Sequence, residues 1–158
     1  PKAKGYNASR ERLEDVDIYR YPLPIDAQGA LGFVMEFAWC FLCSFWLSIK
    51  VAVTGRGFDV IHACNPPETF WLLGWFWRPF GKRFLFDHHD LSSEMYRAIK
   101  RGGGSDLVYR TLLICERMSC RLADQLIATN QSYREVHMDR HGVDPPLLRA
   151  QPFEFVHV

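Results

Sequence analysis

Short apolar runs of strand length alternate with helical segments along this chain, and that alternation leaves few architectures open. Asp15–Tyr21 alternates polar and apolar residues and stops at Pro22-Leu23-Pro24, so it reads as a strand. A long helix is expected from Ala30 to Val53, bracketed by Gln28-Gly29 and Gly55-Arg56-Gly57. Phe58–Cys64 reads as a buried strand. Asn65-Pro66-Pro67-Glu68 then opens an aromatic helix, proline being favoured in a first turn, which ends near Pro79-Phe80-Gly81. Lys82–Asp87 is the next strand, and a glycine break at Gly102–Gly104 leads into an amphipathic helix over Asp106–Leu122. Asp124–Thr129 is a further strand, and Asn130-Gln131-Ser132 caps a helix running to His141. Four repeats of strand then helix predict an α/β domain with a parallel sheet and helices on both faces. Leu147–Val158 has no evident partner element.

The bulk properties narrow the function. A chain of 158 residues suits one domain with a real core. The net charge of +1 and the scattered Lys and Arg give no footprint for nucleic acid. Five cysteines, an odd number, argue for free thiols in a reducing compartment, and a cytoplasmic location is expected. Cys40 and Cys43 have redox-motif spacing, but that chemistry needs the first thiol at a helix N-terminus. Here the pair falls inside the long helix, so packing is the better reading. The longest uncharged run, Phe37–Ile49, has 13 residues against the ~20 of a membrane span. The helix is therefore expected to be a core element, with peripheral contact at the inner membrane face as the alternative.

The chemistry concentrates in Asp87-His88-His89-Asp90-Leu91-Ser92-Ser93-Glu94, directly behind Phe84-Leu85-Phe86. Loops leaving the carboxyl ends of strands line the crevice of an open α/β sheet. Ionisable groups crowded there carry a large desolvation cost unless they are paired. No Gly-x-Gly-x-x-Gly follows a strand, so neither a dinucleotide site nor a P-loop is supported.

Three strings carry a family resemblance: Gly57-Phe-Asp-Val-Ile-His-Ala-Cys-Asn-Pro-Pro-Glu68, Phe80-Gly-Lys-Arg-Phe-Leu-Phe-Asp-His-His-Asp-Leu91, and Glu116-Arg-Met-Ser-Cys-Arg-Leu-Ala-Asp-Gln-Leu-Ile-Ala-Thr-Asn130. With Tyr21–Pro24 and Gln131–Arg134, they resemble the N-terminal domain of glycosyltransferase family 4, one Rossmann-like half of a GT-B fold. The resemblance covers residues 1–146 and leaves 147–158 as an unassigned tail. It implies retaining glycosyl transfer from a nucleotide sugar to a glycan or lipid-linked acceptor, with no further cofactor and no metal. A histidine facing the reaction centre falls on His88 or His89, and Glu94 takes the place of a nearby carboxylate. Asn65, Glu68, Asp87, Asp90, Asn130 and Ser132 are the expected substrate contacts. The family's first strand, with its glycine-bearing loop, and its C-terminal donor-binding domain have no counterpart in these residues. The chain thus resembles a domain trimmed at both ends and is expected to be inactive alone.

Two other readings stand beside this one. A non-catalytic acceptor-binding or partner-dependent module, or a gene remnant, fits the lack of a donor half. A hydrolytic metal site at Asp87, His88, His89 and Asp90, with His62 and Cys64, is weaker, since consecutive residues cannot all converge on one ion. His137 and His141 are expected to be solvated on a polar helix.

Overall fold

The computed structural model describes residues 8–24, 29–54, 57–101 and 103–150, and the chain divides into two compact units, Pro1–Gly57 and Phe58–Val158. In the first, β1 (Arg10–Leu13) and β2 (Val16–Tyr19) pair antiparallel, Leu13 opposite Val16. The single strand expected over Asp15–Tyr21 is therefore a hairpin. Glu14, in the left-handed region at φ 52°, reverses the chain. The Arg20–Glu11 ion pair (2.6 Å) crosses the two strands.

Helix α1 (Gly29–Val53) matches its expected bounds and ends with Lys50 near its C-terminus, where a cation is favourable. Trp39 Nε1 donates to the carbonyl of Pro22 (2.8 Å). The expectation of a core helix fits only part of its surface. Cys40 is buried, whereas Val34, Met35, Leu42, Trp46 and Val53 are exposed. By length and composition Val34–Val53 could span a bilayer, even though the run free of charge is shorter. Cys40 and Cys43 are free thiols inside the helix, and burial pushes Cys43 up, opposite to a redox nucleophile.

The second unit holds the parallel sheet. Its strands are β3 (Val60–Cys64), β4 (Arg83–His88), β5 (Gln125–Ala128) and β6 (Leu148–Ala150), in that order across the sheet. Ala63 is level with Phe86, Leu85 with Gln125, and Leu126 with Leu148. Leu148–Ala150 thus corrects the expectation of a partnerless tail, since it adds the fourth strand. Three crossovers step the same way across the sheet. Their usual right hand puts the connecting helices on one face.

Those helices are α2 (Trp71–Trp77), α4 (Asp106–Leu122) and α5 (Gln131–His141). The core beneath them joins Ala63, Phe84, Phe86, Leu126 and Ala128 to Cys120 of α4. A phenylalanine buried as fully as Phe86 contributes about 1.5–3 kcal/mol. Strand alternation turns Val60, His62 and Cys64 to the opposite face, and all three are exposed. Where α2 crosses β4 the approach is close. A methyl group on Gly74 would stand 2.6 Å from Cγ of Phe84.

Two helical boundaries differ from expectation. The aromatic helix begins with a 3-10 turn over Glu68–Phe70, because Pro67 is still extended and Asn65 is used elsewhere. It ends through a second 3-10 turn, Arg78–Phe80, and left-handed Gly81. An unexpected helix, α3 (Ser92–Ile99), occupies half of what reads as loop. Its Tyr96 hydroxyl accepts the Ser105 N–H (2.8 Å), and its Arg97 stacks on Tyr109 (3.7 Å), fastening α3 to α4.

Candidate functional site

Because the strands are parallel, the loops after β3, β4 and β5 leave from one edge of the sheet. Asn65, His89, Asp90 and Asn130 lie on these three loops, with Asp87 and His88 ending β4, so the geometry brings part of the predicted set to one rim. Asn65 organises it. Its Oδ1 accepts the backbone N–H groups of His89 (2.7 Å) and Asp90 (3.3 Å). Its Nδ2 donates to the carbonyl of Asp90 (2.5 Å) and to Glu68 Oε1 (2.8 Å). A buried amide with every bond filled fixes the turn after β4 against the loop after β3. Thr129 ties in the third loop by donating to the carbonyls of His88 (3.2 Å) and His89 (3.4 Å), a contact that no motif announces.

The three residues Asp87-His88-His89 separate by strand alternation. Asp87 turns to the face opposite the helices, and its Oδ2 meets His62 Nε2 (3.2 Å). Its Oδ1 lies 3.2 Å from His89 Nε2, an ion-pair contact without hydrogen-bond alignment. His88 follows Phe84 and Phe86 to the helix face and is completely buried, its Nδ1 2.8 Å from Nε2 of His137. Burial pulls its pKa down to about 4, so the ring is neutral near pH 7. His89 alone projects outward, with its side chain 44% exposed.

The remaining predicted residues take different stations. Glu68 is buried, and its Oε1 also accepts from Ser92 Oγ (2.5 Å). Burial raises its carboxyl, while these hydrogen bonds oppose the rise. Asp90 reaches Asn65 through its backbone. Glu94 is on α3, half exposed, and pairs with Arg140 of α5 (2.5 Å). Asn130 caps α5 by accepting the Tyr133 N–H (2.8 Å), so its oxygen is engaged, and Ser132 is exposed on the first turn.

The metal group held as the weaker alternative does not converge, because His88 and Asp87 face opposite sides of the sheet. His62, Cys64 and Asp87 do place ligand atoms within 4.8 Å of one another.

Behind β4 lies a polar cluster that the sequence reading missed. His137 and His141 are not solvated. His137 is fully buried and the His141 side chain is 3% exposed. His137 Nδ1 is 3.5 Å from Cys120 Sγ, and burial lowers its pKa to about 3. His141 Nε2 meets Glu116 Oε1 (2.7 Å), which Arg140 also reaches (3.3 Å), while Ser93 Oγ donates to Oε2 (3.2 Å). Burial pushes the Glu116 carboxyl up, but the hydrogen bond to His141 and the nearby Arg140 guanidinium outweigh it and hold it below the usual carboxylate range. The only sequence signal was the four-residue spacing of Glu116 and Cys120 and of His137 and His141, which puts each pair on one helix face.

Asn65, Glu68 and Asn130 of the rim are thus engaged within the protein, and the His89 imidazole faces outward. The Glycosyl transferase 4-like domain is the family whose profile matches this chain, over residues 3–153. No curated protein matches it.

Proposed function

We propose, from the premise that this chain belongs to the glycosyl transferase 4-like family and so has a glycosyltransferase-type function, that its rim is the acceptor side of a retaining transferase using a nucleotide sugar. In this reading the bond from the anomeric carbon to the nucleotide phosphate breaks. Positive charge then develops on the sugar and negative charge on the leaving phosphate. The acceptor oxygen bonds to the same face of that carbon, and its proton leaves with the phosphate. Placement and electrostatics carry most of such a reaction. His89 is the residue assigned to the reacting sugar. Asp87 sits against its Nε2, so Nδ1 remains to accept from a sugar hydroxyl or to steady the developing charge. Glu94 holds Arg140 with one oxygen and offers the other to the acceptor hydroxyl. Asn65 and Glu68 set the loop, Asp90, Asn130 and Ser132 border the acceptor path, and His88 acts through β4 as a positioning residue. A second Rossmann-like domain supplies the donor site, the acceptor is a glycan or a lipid-linked glycan, and the piece alone does not turn over.

The observation that carries this reading is the exposed imidazole of His89 on a backbone fixed by Asn65. The test is activity of a two-domain protein containing these residues. His89→Ala is expected to lower kcat about a hundredfold with little change in donor KM. His88→Gln should act mainly on stability. Full activity in His89→Ala would refute the assignment. A non-catalytic module would instead bind glycan in the 158-residue piece and show no turnover when a donor-binding domain is added.

A further inference from the structure

We propose that Cys120, His137 and His141 form a binding site for one divalent ion of the zinc type, held between α4 and α5 behind β4. The three side chains place their ligand atoms within 4.8 Å of one another. Zinc bonds of ~2.3 Å to sulfur and ~2.0 Å to nitrogen, at a tetrahedral angle, put sulfur and nitrogen about 3.6 Å apart. Cys120 Sγ and His137 Nδ1 are already 3.5 Å apart, and the ligand nitrogen of His141 has at most about 1.5 Å to close.

The outer contacts match what ligating histidines require. A metal-bound imidazole usually gives its second ring N–H to a fixed acceptor, which sets the tautomer and the ring plane. His137 has Nε2 against Nδ1 of His88 (2.8 Å), leaving Nδ1 beside the thiol. His141 has Nε2 against the carboxylate of Glu116 (2.7 Å), leaving Nδ1 buried with no hydrogen-bond partner. Both rings are thus held by Nε2 with Nδ1 left over, and an orphaned buried nitrogen is costly without a ligand. One thiolate in contact and one carboxylate behind His141 offset the ion's double charge, the thiol proton passing to solvent. Thiolate with imidazole selects zinc-type ions over magnesium or calcium. A surface pocket of 290 Å³, lined by Tyr109, Leu113, Ile114, Arg117, Arg140 and His141, borders the site at His141. The site touches the rim residues only through His88 and Arg140, and its metal chemistry does not depend on the glycosyl-transfer reading.

The test uses the whole chain, stripped with chelator and titrated with Zn²⁺ and, separately, with Co²⁺. The expected result is one ion per chain, with a near-ultraviolet thiolate-to-cobalt band and strong visible bands of tetrahedral cobalt. Cys120→Ser should abolish the thiolate band, and Cys64→Ser should leave it intact. His141→Gln, at a residue near the helix end, should weaken Zn²⁺ binding by more than about tenfold with the circular dichroism unchanged. The proposal is overturned if the unmodified chain gives no thiolate band. It is equally overturned if the band disappears with Cys64→Ser, which would move the ion to His62, Cys64 and Asp87, or if folded His141→Gln binds Zn²⁺ as tightly as the parent.

Discussion

Asn65 is where the rim can be broken most sharply. Its amide makes four hydrogen bonds in a buried setting, three of them between 2.5 and 2.8 Å and one of 3.3 Å. Each such bond contributes about 1 kcal/mol net, and stranding the buried partners adds to the loss. Asn65→Ala should therefore destabilise the chain by about 3 kcal/mol. Asn65→Asp tests the direction of those bonds. It keeps the acceptor for the N–H groups of His89 and Asp90, but sets an oxygen where Nδ2 stood, 2.8 Å from Glu68 Oε1. Two carboxylates at that distance cannot both be ionised, so one must take up a proton. The aspartate variant should then be less stable than the alanine variant at pH 8. It should regain most of the difference at pH 5, where a shared proton restores the missing bond. Urea unfolding followed by tryptophan fluorescence reads both, since Trp71, Trp75 and Trp77 lie in the adjoining helix. An alanine cost below about 1 kcal/mol, or an aspartate variant with no pH dependence beyond that of the parent, would refute the clamp.

Two further outcomes follow from the packing and the buried charge. Gly74→Ala raises helix propensity by up to ~1 kcal/mol, but the added methyl overlaps Phe84 at a typical cost of about 1–3 kcal/mol. A fall in Tm is expected, partly reversed by adding Phe84→Leu, and a rise in Tm would show that α2 does not touch β4 as described. Burial raises the Glu68 carboxyl, so the folded chain holds its proton to a higher pH than the unfolded chain does. The parent should therefore lose stability relative to Glu68→Gln as pH rises from about 4.3 through the raised value, while the buried His88 and His137 add the same rise with pH to both proteins. Parallel stability curves for the two proteins between pH 4 and 8 would show that Glu68 is not desolvated.

The second unit was legible because its signals are local. Phe58–Cys64, Lys82–Asp87 and Asp124–Thr129 are apolar runs bounded by turn residues, and each became a strand within two residues of its expected bounds. What escaped depends on partners distant in sequence. Leu148–Ala150 lacks a strand signature of its own and is a strand only because β5 offers an unpaired edge. Leu13-Glu14-Asp15-Val16 contains neither Gly nor Asn, the residues that usually mark a tight hairpin, so its reversal was invisible. Residues Ser92–Ile99 lack a side-chain N-cap, and α3 is fastened instead by Tyr96 and Arg97 to residues across the glycine break.

At the site, the choice between His88 and His89 was open to strand periodicity, though composition and motif leave it undecided. Phe84 and Phe86 are the large apolar residues of β4 that must face the helices. A period of two then sends His88 the same way and Asp87 the other. Once under α5, His88 must be neutral and must find a buried partner, because a solitary imidazolium there is too costly. His137 is that partner, and periodicity within β4 alone could not have named it. The outward residue is the one just past the last strand position, where the turn held by Asn65 releases the chain from alternation. His89 therefore faces the rim for a backbone reason. A variant with one residue inserted before His88 would seat the inserted residue in the buried station beneath α5, carry His88 to the outward one and move His89 on into the turn.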